Sequence, residues 1–270
     1  MKSFVLEALA EDVGRGDLYA LVFDAQPATA HIIAKSEGVL AGQKYCDVLA
    51  KEEGLSITWK INDSEVFSVG DLIAVVESDS HTLLRCERTL LNMLLHASSI
   101  ATLTRKFVDI IIPYGTRLLD TRKTRPKLRV FEKYATRCGG AVNHRMGLDD
   151  CLMLKDTHLK TIDDLDAFMQ KARQAIPFTS KIEIEAESFE QAKKFMAAGA
   201  DIVMCDNMSP VSLAEVVAFQ KEHYPSTLLE ASGNISLETI EAYAKTGVDA
   251  ISSGALIHQA NWVDLSMKVQ

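Results

Sequence analysis

A dense run of cationic side chains is the strongest chemical signal in this sequence. Nine arginines and lysines lie between residues 117 and 145, opposed only by Asp120 and Glu132, although the chain has a formal net charge of −8. Arginine binds carboxylates through two parallel hydrogen bonds, whereas lysine serves as a mobile point charge for phosphates. Arg122 and Lys123 directly follow an apolar segment. They are therefore predicted to bind a ligand that carries carboxylates, together with a phosphorylated co-substrate.

Neighbouring positions extend this cationic set. His144 and Arg145 lie just beyond the Gly139-Gly140 turn, and Lys155 ends a short apolar run. A histidine beside an arginine within a cationic stretch favours a role in anion binding over a purely structural role. Other cations of the stretch permit the simpler interpretation of a solvated helical face between residues 127 and 137. The members of this group are Lys127, Arg129 and Lys133.

Carboxylates are expected to face these cations. Glu183, Glu185 and Glu187 occupy alternate positions of one predicted strand, so their side chains share one face. Buried carboxylates are costly unless cations, metal ions or hydroxyl groups pair with them. Together with Asp206 they could hold ribose hydroxyls or a hydrated magnesium ion, although a simple charge balance with the lysines remains an alternative.

Two turns of small residues complete the candidate site. They are Ser232-Gly233-Asn234 and Ser253-Gly254-Ala255, and each follows a predicted strand and precedes a helical segment. Glycine lets a ligand approach the backbone closely, and N–H groups at such a turn can hold phosphate. Because the feature occurs in two consecutive units, it resembles the phosphate sites of α/β barrels.

An alternation of strands and helices would bring these residues together. The predicted strands are Arg117–Asp120, Cys151–Lys155, Lys181–Glu187, Asp201–Asp206, Thr227–Ser232 and Val248–Ser253. The predicted helices are Ile162–Ile176, Phe189–Ala198, Val211–His223 and Leu237–Lys245. All six strands end in polar residues, and the active sites of α/β proteins lie at the carboxyl ends of their parallel strands. The pattern therefore favours an α/β barrel over an open sheet.

The first part of the chain has a different pattern. Residues 29–77 contain short alternating apolar runs separated by glycines, which predicts antiparallel strands with tight turns. From Thr82 to about Tyr114 the apolar spacing becomes helical.

Composition excludes several classes of function. The acidic net charge disfavours a nucleic-acid binder, and no apolar run approaches the roughly 20 residues that span a bilayer. The amphipathic first twelve residues do not have the pattern of a signal peptide. The five cysteines are scattered and form no C-x-x-C pair, which fits a reducing compartment. We expect a soluble cytoplasmic protein that binds neither membranes nor nucleic acids.

Several of these motifs, taken in order, resemble the quinolinate phosphoribosyltransferase family over nearly the whole chain. The matching segments are Ala10-Glu11-Asp12, Gly14 to Asp17, Glu87 to Asn92, Asp120 to Thr124, Glu132 to Ala135, Gly139-Gly140, Asn143 to Leu148, Lys155-Asp156, His158, Glu183 to Glu185, Asp206-Asn207, Glu230 to Gly233, Gly247 to Asp249 and Ser253 to Leu256. No single matching segment would be specific for this family, but so many matches in the same order along the sequence are specific for it.

The resemblance implies a fold, an assembly and a reaction. It implies an N-terminal α/β sandwich over residues 1–103, onto which the final C-terminal segment packs, and a seven-stranded α/β barrel over residues 104–270. The expected assembly is a homodimer with shared active sites, and a higher oligomer of dimers stays open. The expected reaction joins quinolinate to the phosphoribosyl group of phosphoribosyl pyrophosphate with decarboxylation, giving nicotinate mononucleotide, pyrophosphate and carbon dioxide in NAD biosynthesis.

The resemblance also implies a role for each candidate. The expected quinolinate-binding residues are Arg88, Arg122, His144, Arg145 and Lys155. The expected phosphoribosyl pyrophosphate contacts are Thr121, Lys123, Ser232, Gly233, Asn234, Ser253, Gly254 and Ala255. The expected catalytic groups are Lys123, Glu185 and Asp206, of which the two carboxylates would serve the ribose and Mg²⁺, directly or through water. Arg88 is expected to act in the site of the partner subunit, whereas the sequence alone equally allows an ion pair with Glu87 or Glu52.

Some positions depart from the family pattern. Arg125 and Lys127 replace small or neutral residues, Asn234 replaces a second glycine, and Thr157 replaces asparagine. None of these changes removes a charged candidate residue, so they bear on loop geometry more than on activity. Two rival functions stay open: a related enzyme associated with molybdate transport, and a binding module that senses pyridine nucleotides or phosphate without catalysis.

Overall fold

A computed structural model describes residues 1–270, which form two units. Unit 1 comprises Met1–Arg105, Tyr134–Gly140 and Gln259–Gln270, and unit 2 comprises Lys106–Lys133 and Ala141–His258. No helix is both long enough and apolar enough to cross a membrane.

The elements are numbered in chain order. The first are α1 (Lys2–Val13), β1 (Pro27–Ala34), β2 (Gly38–Val39), α2 (Gln43–Glu53), β3 (Ser56–Trp59), β4 (Val66–Phe67), β5 (Leu72–Asp79), α3 (Ser80–Ile111), β6 (Arg117–Leu119) and α4 (Arg129–Cys138). The remainder are β7 (Cys151–Leu154), α5 (Asp156–Leu159), α6 (Leu165–Ala175), β8 (Lys181–Ala186), α7 (Phe189–Ala197), β9 (Ile202–Asp206), α8 (Pro210–His223), β10 (Leu228–Ser232), α9 (Ile240–Ala244), β11 (Ala250–Ser252), α10 (Ala255–His258) and β12 (Leu265–Val269).

Unit 1 is built on an antiparallel sheet with the strand order β12-β1-β5-β3. Alternate residues Ala30, Ile32 and Ala34 of β1 are buried, because side chains two positions apart share one face of a strand. The antiparallel strands predicted between residues 29 and 77 are therefore present, and β12 from the end of the chain pairs with β1.

A helix that the sequence pattern did not predict interrupts those strands. Helix α2 begins after Gly42 and ends at Gly54, whose φ of 78° is the left-handed conformation in which glycine commonly ends helices. Tyr45 and Leu49 are among its buried residues, one turn apart on the same face. The helical segment predicted from residue 82 is confirmed as α3.

Unit 2 contains a parallel sheet with the strand order β6-β11-β10-β9-β8-β7. The last strand of the unit, β11, pairs with the first, β6, as the closed circle of a barrel requires. A single parallel bridge between Leu119 and Val142 occupies the position of the seventh strand, between β6 and β7 in the chain. The α/β barrel is confirmed, with its seventh strand reduced to one residue.

Candidate active site

A cavity of about 480 Å³ lies at the carboxyl ends of the parallel strands. Because all six strands run in one direction, the residues that follow them reach the same edge of the sheet. The predicted residues that line the cavity are Thr121, Arg122, Lys123, His144, Arg145, Lys155, Glu185, Asp206, Ser232, Gly233 and Asn234. The structure thus brings together eleven of the fifteen residues predicted from the sequence.

The cavity also contains residues for which no binding role was predicted from the sequence, although Asn207, Glu230 and Ser252 lie at predicted strand ends. The additional lining residues are Met153, Met204, Asn207, Glu230 and Ser252. Each belongs to a strand already predicted or directly follows one, so position at a strand end was a usable signal for all five.

A buried ion pair fixes the segment that carries His144 and Arg145. Lys133 Nζ lies 2.6 Å from Asp120 Oδ1, with 1% and 0% of the two side chains exposed. The same ammonium donates to the carbonyl oxygens of His144 (2.5 Å) and Arg145 (3.0 Å). Asp120 in turn accepts from the His144 N–H (2.9 Å) and from Asn143 Nδ2 (2.5 Å). The loop is therefore held by charged groups that water does not reach.

Lys133 corrects one interpretation of the sequence. A solvated helical face was the simpler expectation for Lys127, Arg129 and Lys133, but Lys133 is buried. Arg129 is half-buried and donates to the Met146 carbonyl oxygen (3.0 Å), and only Lys127 is exposed. The cause is long-range, since the carboxylate that compensates Lys133 belongs to Asp120, which directly follows β6.

Two arginines line the cavity from neighbouring loops. Arg122 Nη1 is buried and has no hydrogen-bond partner. Burial, and then the positive charges of Arg145 and Arg129, lower the pKa of Arg122. Arg145 is oriented by hydrogen bonds from Nη1 to the Cys151 carbonyl oxygen (3.0 Å) and from Nη2 to Met153 Sδ (3.3 Å).

His144 is held by two buried glutamates. Its Nε2 lies 3.3 Å from Glu183 Oε2 and 3.2 Å from Glu230 Oε2, while Nδ1 accepts from the Arg145 N–H (2.7 Å). Burial of the imidazole disfavours its charged form, whereas the hydrogen bonds and charges of the two glutamates favour it and raise the pKa of His144 to about 10. The contact at Nδ1 instead requires the neutral ring with its hydrogen on Nε2, and this contact is a direct feature of the geometry.

These three side chains also have the composition of a metal site, because their ligand atoms lie within 4.8 Å of one another. A histidine that binds metal through Nε2 normally donates a hydrogen bond from its other nitrogen. Here Nδ1 of His144 accepts a hydrogen bond, so Nε2 carries the hydrogen that Glu183 and Glu230 accept. The geometry favours a hydrogen-bonded cluster of one histidine and two glutamates over a metal centre.

The carboxylates predicted for the ribose lie on adjacent strands. Glu185 on β8 accepts from Lys155 Nζ (2.6 Å), and only 9% of its side chain is exposed. Asp206 ends β9 and accepts from Asn207 Nδ2 (2.7 Å). Glu187, which was predicted on the same face, does not line the cavity.

The first small-residue turn, Ser232-Gly233-Asn234, is positioned by Asn207, which follows Asp206. Asn234 Nδ2 donates to Asn207 Oδ1 (3.0 Å), and both residues have φ near +50°. Gly233 has a φ of +94°, and a Cβ atom there would lie 2.3 Å from Asn207 Oδ1. Glycine is therefore required at this position for both conformation and space.

The second turn lies outside the cavity lining, which differs from the prediction. Ser253, Gly254 and Ala255 are buried, and the side chain of Lys123 lies over Gly254, where an added Cβ would be 2.9 Å from Lys123 Cδ. The side chain of Lys123 thus lies between this turn and the cavity, and Lys123 lines the cavity in place of the turn.

Arg88 belongs to unit 1 and lies on α3. Its side chain is exposed and forms neither of the ion pairs that the sequence allowed, since Glu52 pairs with Lys2 (2.6 Å) and Glu87 forms no ion pair.

An α/β barrel with arginines, lysines and three carboxylates around one strand-end cavity is typical of enzymes that act on anionic, phosphorylated substrates. Two family descriptions match nearly the whole chain: the N-terminal domain of quinolinate phosphoribosyl transferase over residues 17–98 and its C-terminal domain over residues 100–268. The chain belongs to the quinolinate phosphoribosyltransferase family.

Individual relatives agree with this assignment. The chain is 40% identical to a probable carboxylating nicotinate-nucleotide pyrophosphorylase of Bacillus subtilis, covering 100% of this chain and 93% of the relative. It is 39% identical to a protein of the same name from Synechocystis, covering 97% and 90%. A solved structure of the nicotinate-nucleotide pyrophosphorylase from Francisella tularensis superposes with a TM-score of 0.94 at 36% identity, covering 100% and 95%.

Proposed function

We propose that this protein transfers the phosphoribosyl group of phosphoribosyl pyrophosphate to quinolinate and decarboxylates the product to nicotinate mononucleotide. The observation that carries the proposal is the buried Nη1 of Arg122, which has no protein partner in a cavity lined by three further cations. An unpaired buried donor is unfavourable, and a dicarboxylate ligand would pair it. Full-length similarity to carboxylating pyrophosphorylases supports the same substrate.

The cavity residues account for binding of both substrates. Arg122, His144 and Arg145 supply donors for the two carboxylates of quinolinate, and Lys155 adds a half-exposed ammonium beside Glu185. Lys123 and the turn at Gly233 supply a mobile charge and an open backbone for the phosphates. The Asp120–Lys133 pair does not contact the ligand itself. It holds the loop that carries His144 and Arg145, two of these donors.

The reaction requires positioning and electrostatic stabilisation more than a protein nucleophile. The lone pair of the ring nitrogen forms a bond to C1 of the ribose while the bond from C1 to pyrophosphate breaks, and its electron pair leaves with pyrophosphate. The ring nitrogen becomes cationic. The bond from C2 to its carboxylate then breaks, the pair stays on C2 as carbon dioxide leaves, and C2 takes a proton from water.

The two carboxylates Glu185 and Asp206 suit this chemistry and also a Mg²⁺ ion. Oxygen donors at adjacent strand ends match the preference of Mg²⁺, so Glu185 and Asp206 would hold such an ion, directly or through water, although Lys155 already engages one oxygen of Glu185. When bound, the ion neutralises charge on pyrophosphate. Glu185 and Asp206 themselves orient the ribose hydroxyls and favour the positive charge that develops at C1.

A homodimer is the assembly that the surface of unit 1 supports. Leu18, Leu21 and Val22 are 77–79% exposed, which is unusual for apolar side chains so close together in a monomer. The first turns of α3 adjoin this segment, and Leu84 lies one turn before Arg88 on the same helix face. A second copy covering the segment would meet the exposed guanidinium of Arg88, which the family resemblance assigns to the quinolinate site of the partner subunit. Free cysteines support a reducing, cytoplasmic location.

The direct experiment incubates purified protein with quinolinate, phosphoribosyl pyrophosphate and Mg²⁺, and measures nicotinate mononucleotide together with carbon dioxide. We expect equal amounts of both products. Nicotinate should be used worse by orders of magnitude, because it lacks the 2-carboxylate and leaves buried cations unpaired. Arg122→Met should abolish most activity, whereas Arg137→Met, a change to an exposed arginine of α4, should not.

Comparable efficiency with nicotinate would exclude the proposed substrate. Binding of nicotinate mononucleotide without turnover would favour the sensing module instead.

A further inference from the structure

One buried oxygen of the cavity wall is not explained by the roles described above. Glu230 on β10 lines the cavity and is 2% exposed. Its Oε2 lies 3.2 Å from His144 Nε2, but Oε1 is buried and has no hydrogen-bond partner. An unpaired anionic oxygen inside a protein is costly, so its presence calls for a cause.

Support of His144 is not a sufficient cause. Glu183 lies 3.3 Å and 3.4 Å from His144 Nε2 through its two oxygens and is fully buried. The imidazole would keep a carboxylate partner without Glu230. Ground-state binding of quinolinate does not explain Glu230 either, because quinolinate brings two negative charges and no hydrogen-bond donor, and the ribose hydroxyls of the other substrate already have Glu185 and Asp206 as acceptors in the proposed function. A carboxylate beside His144 and Arg145 therefore opposes the binding of quinolinate.

The charge of the ring changes during the reaction. The pyridine nitrogen is neutral in bound quinolinate and positive once its lone pair has formed the bond to C1 and pyrophosphate has left with the electron pair of its own bond. We propose that Glu230 favours the cationic ring over the neutral ring in the same site, so that it lowers the barrier to transfer while weakening the binding of quinolinate. This inference rests on the proposed function.

The physical basis is differential stabilisation. Only an interaction that is stronger in the transition state than in the bound substrate accelerates the chemical step. A buried carboxylate with one uncompensated oxygen acts in a low-dielectric wall, where its field is screened less than in water. His144 compensates Oε2, so the charge that reaches the ring comes chiefly from the side of Oε1.

The test compares two ligands that differ in ring charge and in one methyl group on the ring nitrogen. Quinolinate and 1-methylpyridinium-2,3-dicarboxylate carry the same two carboxylates, and the second has a positive ring nitrogen. We expect Glu230→Gln to bind quinolinate as tightly as the wild type or more tightly, and the methylated ligand more weakly. The ratio of the two dissociation constants should change by about tenfold, the order expected for one charge a few ångströms away. Calorimetric titration measures both constants.

Kinetics should agree with the binding ratio. In Glu230→Gln we expect kcat to fall by about tenfold or more while KM for quinolinate does not rise. Glu183→Gln is the matched control, because it also changes a buried glutamate on His144 to an amide but removes no unpaired oxygen. We expect its binding ratio to stay within about threefold of the wild type. Glu230→Met provides the same comparison should the glutamine variant fail to fold.

An unchanged ratio in a folded Glu230 variant would overturn the inference, as would a loss of affinity that is equal for both ligands. Such a result would leave the proposed function intact, provided that the wild type converts quinolinate. Absence of product from wild-type protein would instead overturn the proposed function, and this inference with it.

Discussion

Replacement of Lys133 by methionine should destabilise the protein strongly, although Lys133 does not line the cavity. Its Nζ donates three hydrogen bonds, to Asp120 and to two backbone carbonyl groups, all at 2.5–3.0 Å. With 1% of Lys133 and none of Asp120 exposed, water cannot replace the lost ammonium. Removing one partner of a buried pair costs about 3–5 kcal/mol because the other charge stays buried and uncompensated.

The loss in free energy of unfolding should remain within about 3–5 kcal/mol, since Asp120 still accepts from Asn143 and from the His144 N–H. Urea unfolding measures this loss, and the urea concentration at the midpoint of unfolding should fall by about 1–2 M. Arg137→Met on the same helix is the control and should change stability by no more than about 0.5 kcal/mol, because Arg137 is exposed.

Adding Asp120→Asn to the Lys133 variant identifies the cause. If an unpaired buried charge is responsible, the double variant should recover part of the lost stability, because the second change removes that charge. A loss below about 1 kcal/mol for Lys133→Met, or a further loss on adding Asp120→Asn, would refute this reasoning.

Three further predictions concern ligand binding, assembly and stability. Lys123→Ala should weaken phosphoribosyl pyrophosphate more than quinolinate and Arg145→Ala the reverse, as measured by separate titrations; equal losses would contradict that division. Arg88→Ala and Lys155→Ala should each be nearly inactive alone, but refolded mixtures should regain up to about half of the sites per heterodimer; verified heterodimers without activity would exclude action in trans. Gly233→Ala should cost about 1–3 kcal/mol in thermal unfolding, because a side chain there meets both a positive φ and an amide oxygen.

The location of the cavity was predictable because parallel strands impose it. Once Cys151–Leu154, Lys181–Ala186 and Ile202–Asp206 are recognised as consecutive strands, their following residues must meet at one edge. The sequence bounds of these strands agree with the structure to within one residue. Helix α2 could also have been found, since its buried residues recur at helical spacing between two glycines.

Other features depend on partners that lie far apart in the chain. The burial of Lys133 is set by Asp120, thirteen positions away and on another element. The position of Lys123 over Gly254 joins residues more than a hundred positions apart, and for that reason the second turn appeared equivalent to the first. The local sequence pattern shows which residue types are available for such contacts, but it does not show which residues contact each other.

The pairing of β12 with β1 has a consequence for synthesis on the ribosome. Strand β1 lies within the first 34 residues, yet its hydrogen-bonding partner on one side is made of residues 265–269. Until residues 265–269 leave the exit tunnel, β1 exposes unpaired N–H and C=O groups to other nascent chains. Unit 1 is thus completed after unit 2 has been translated, and prolonged pausing before residues 265–269 emerge would extend the period in which aggregation competes with folding.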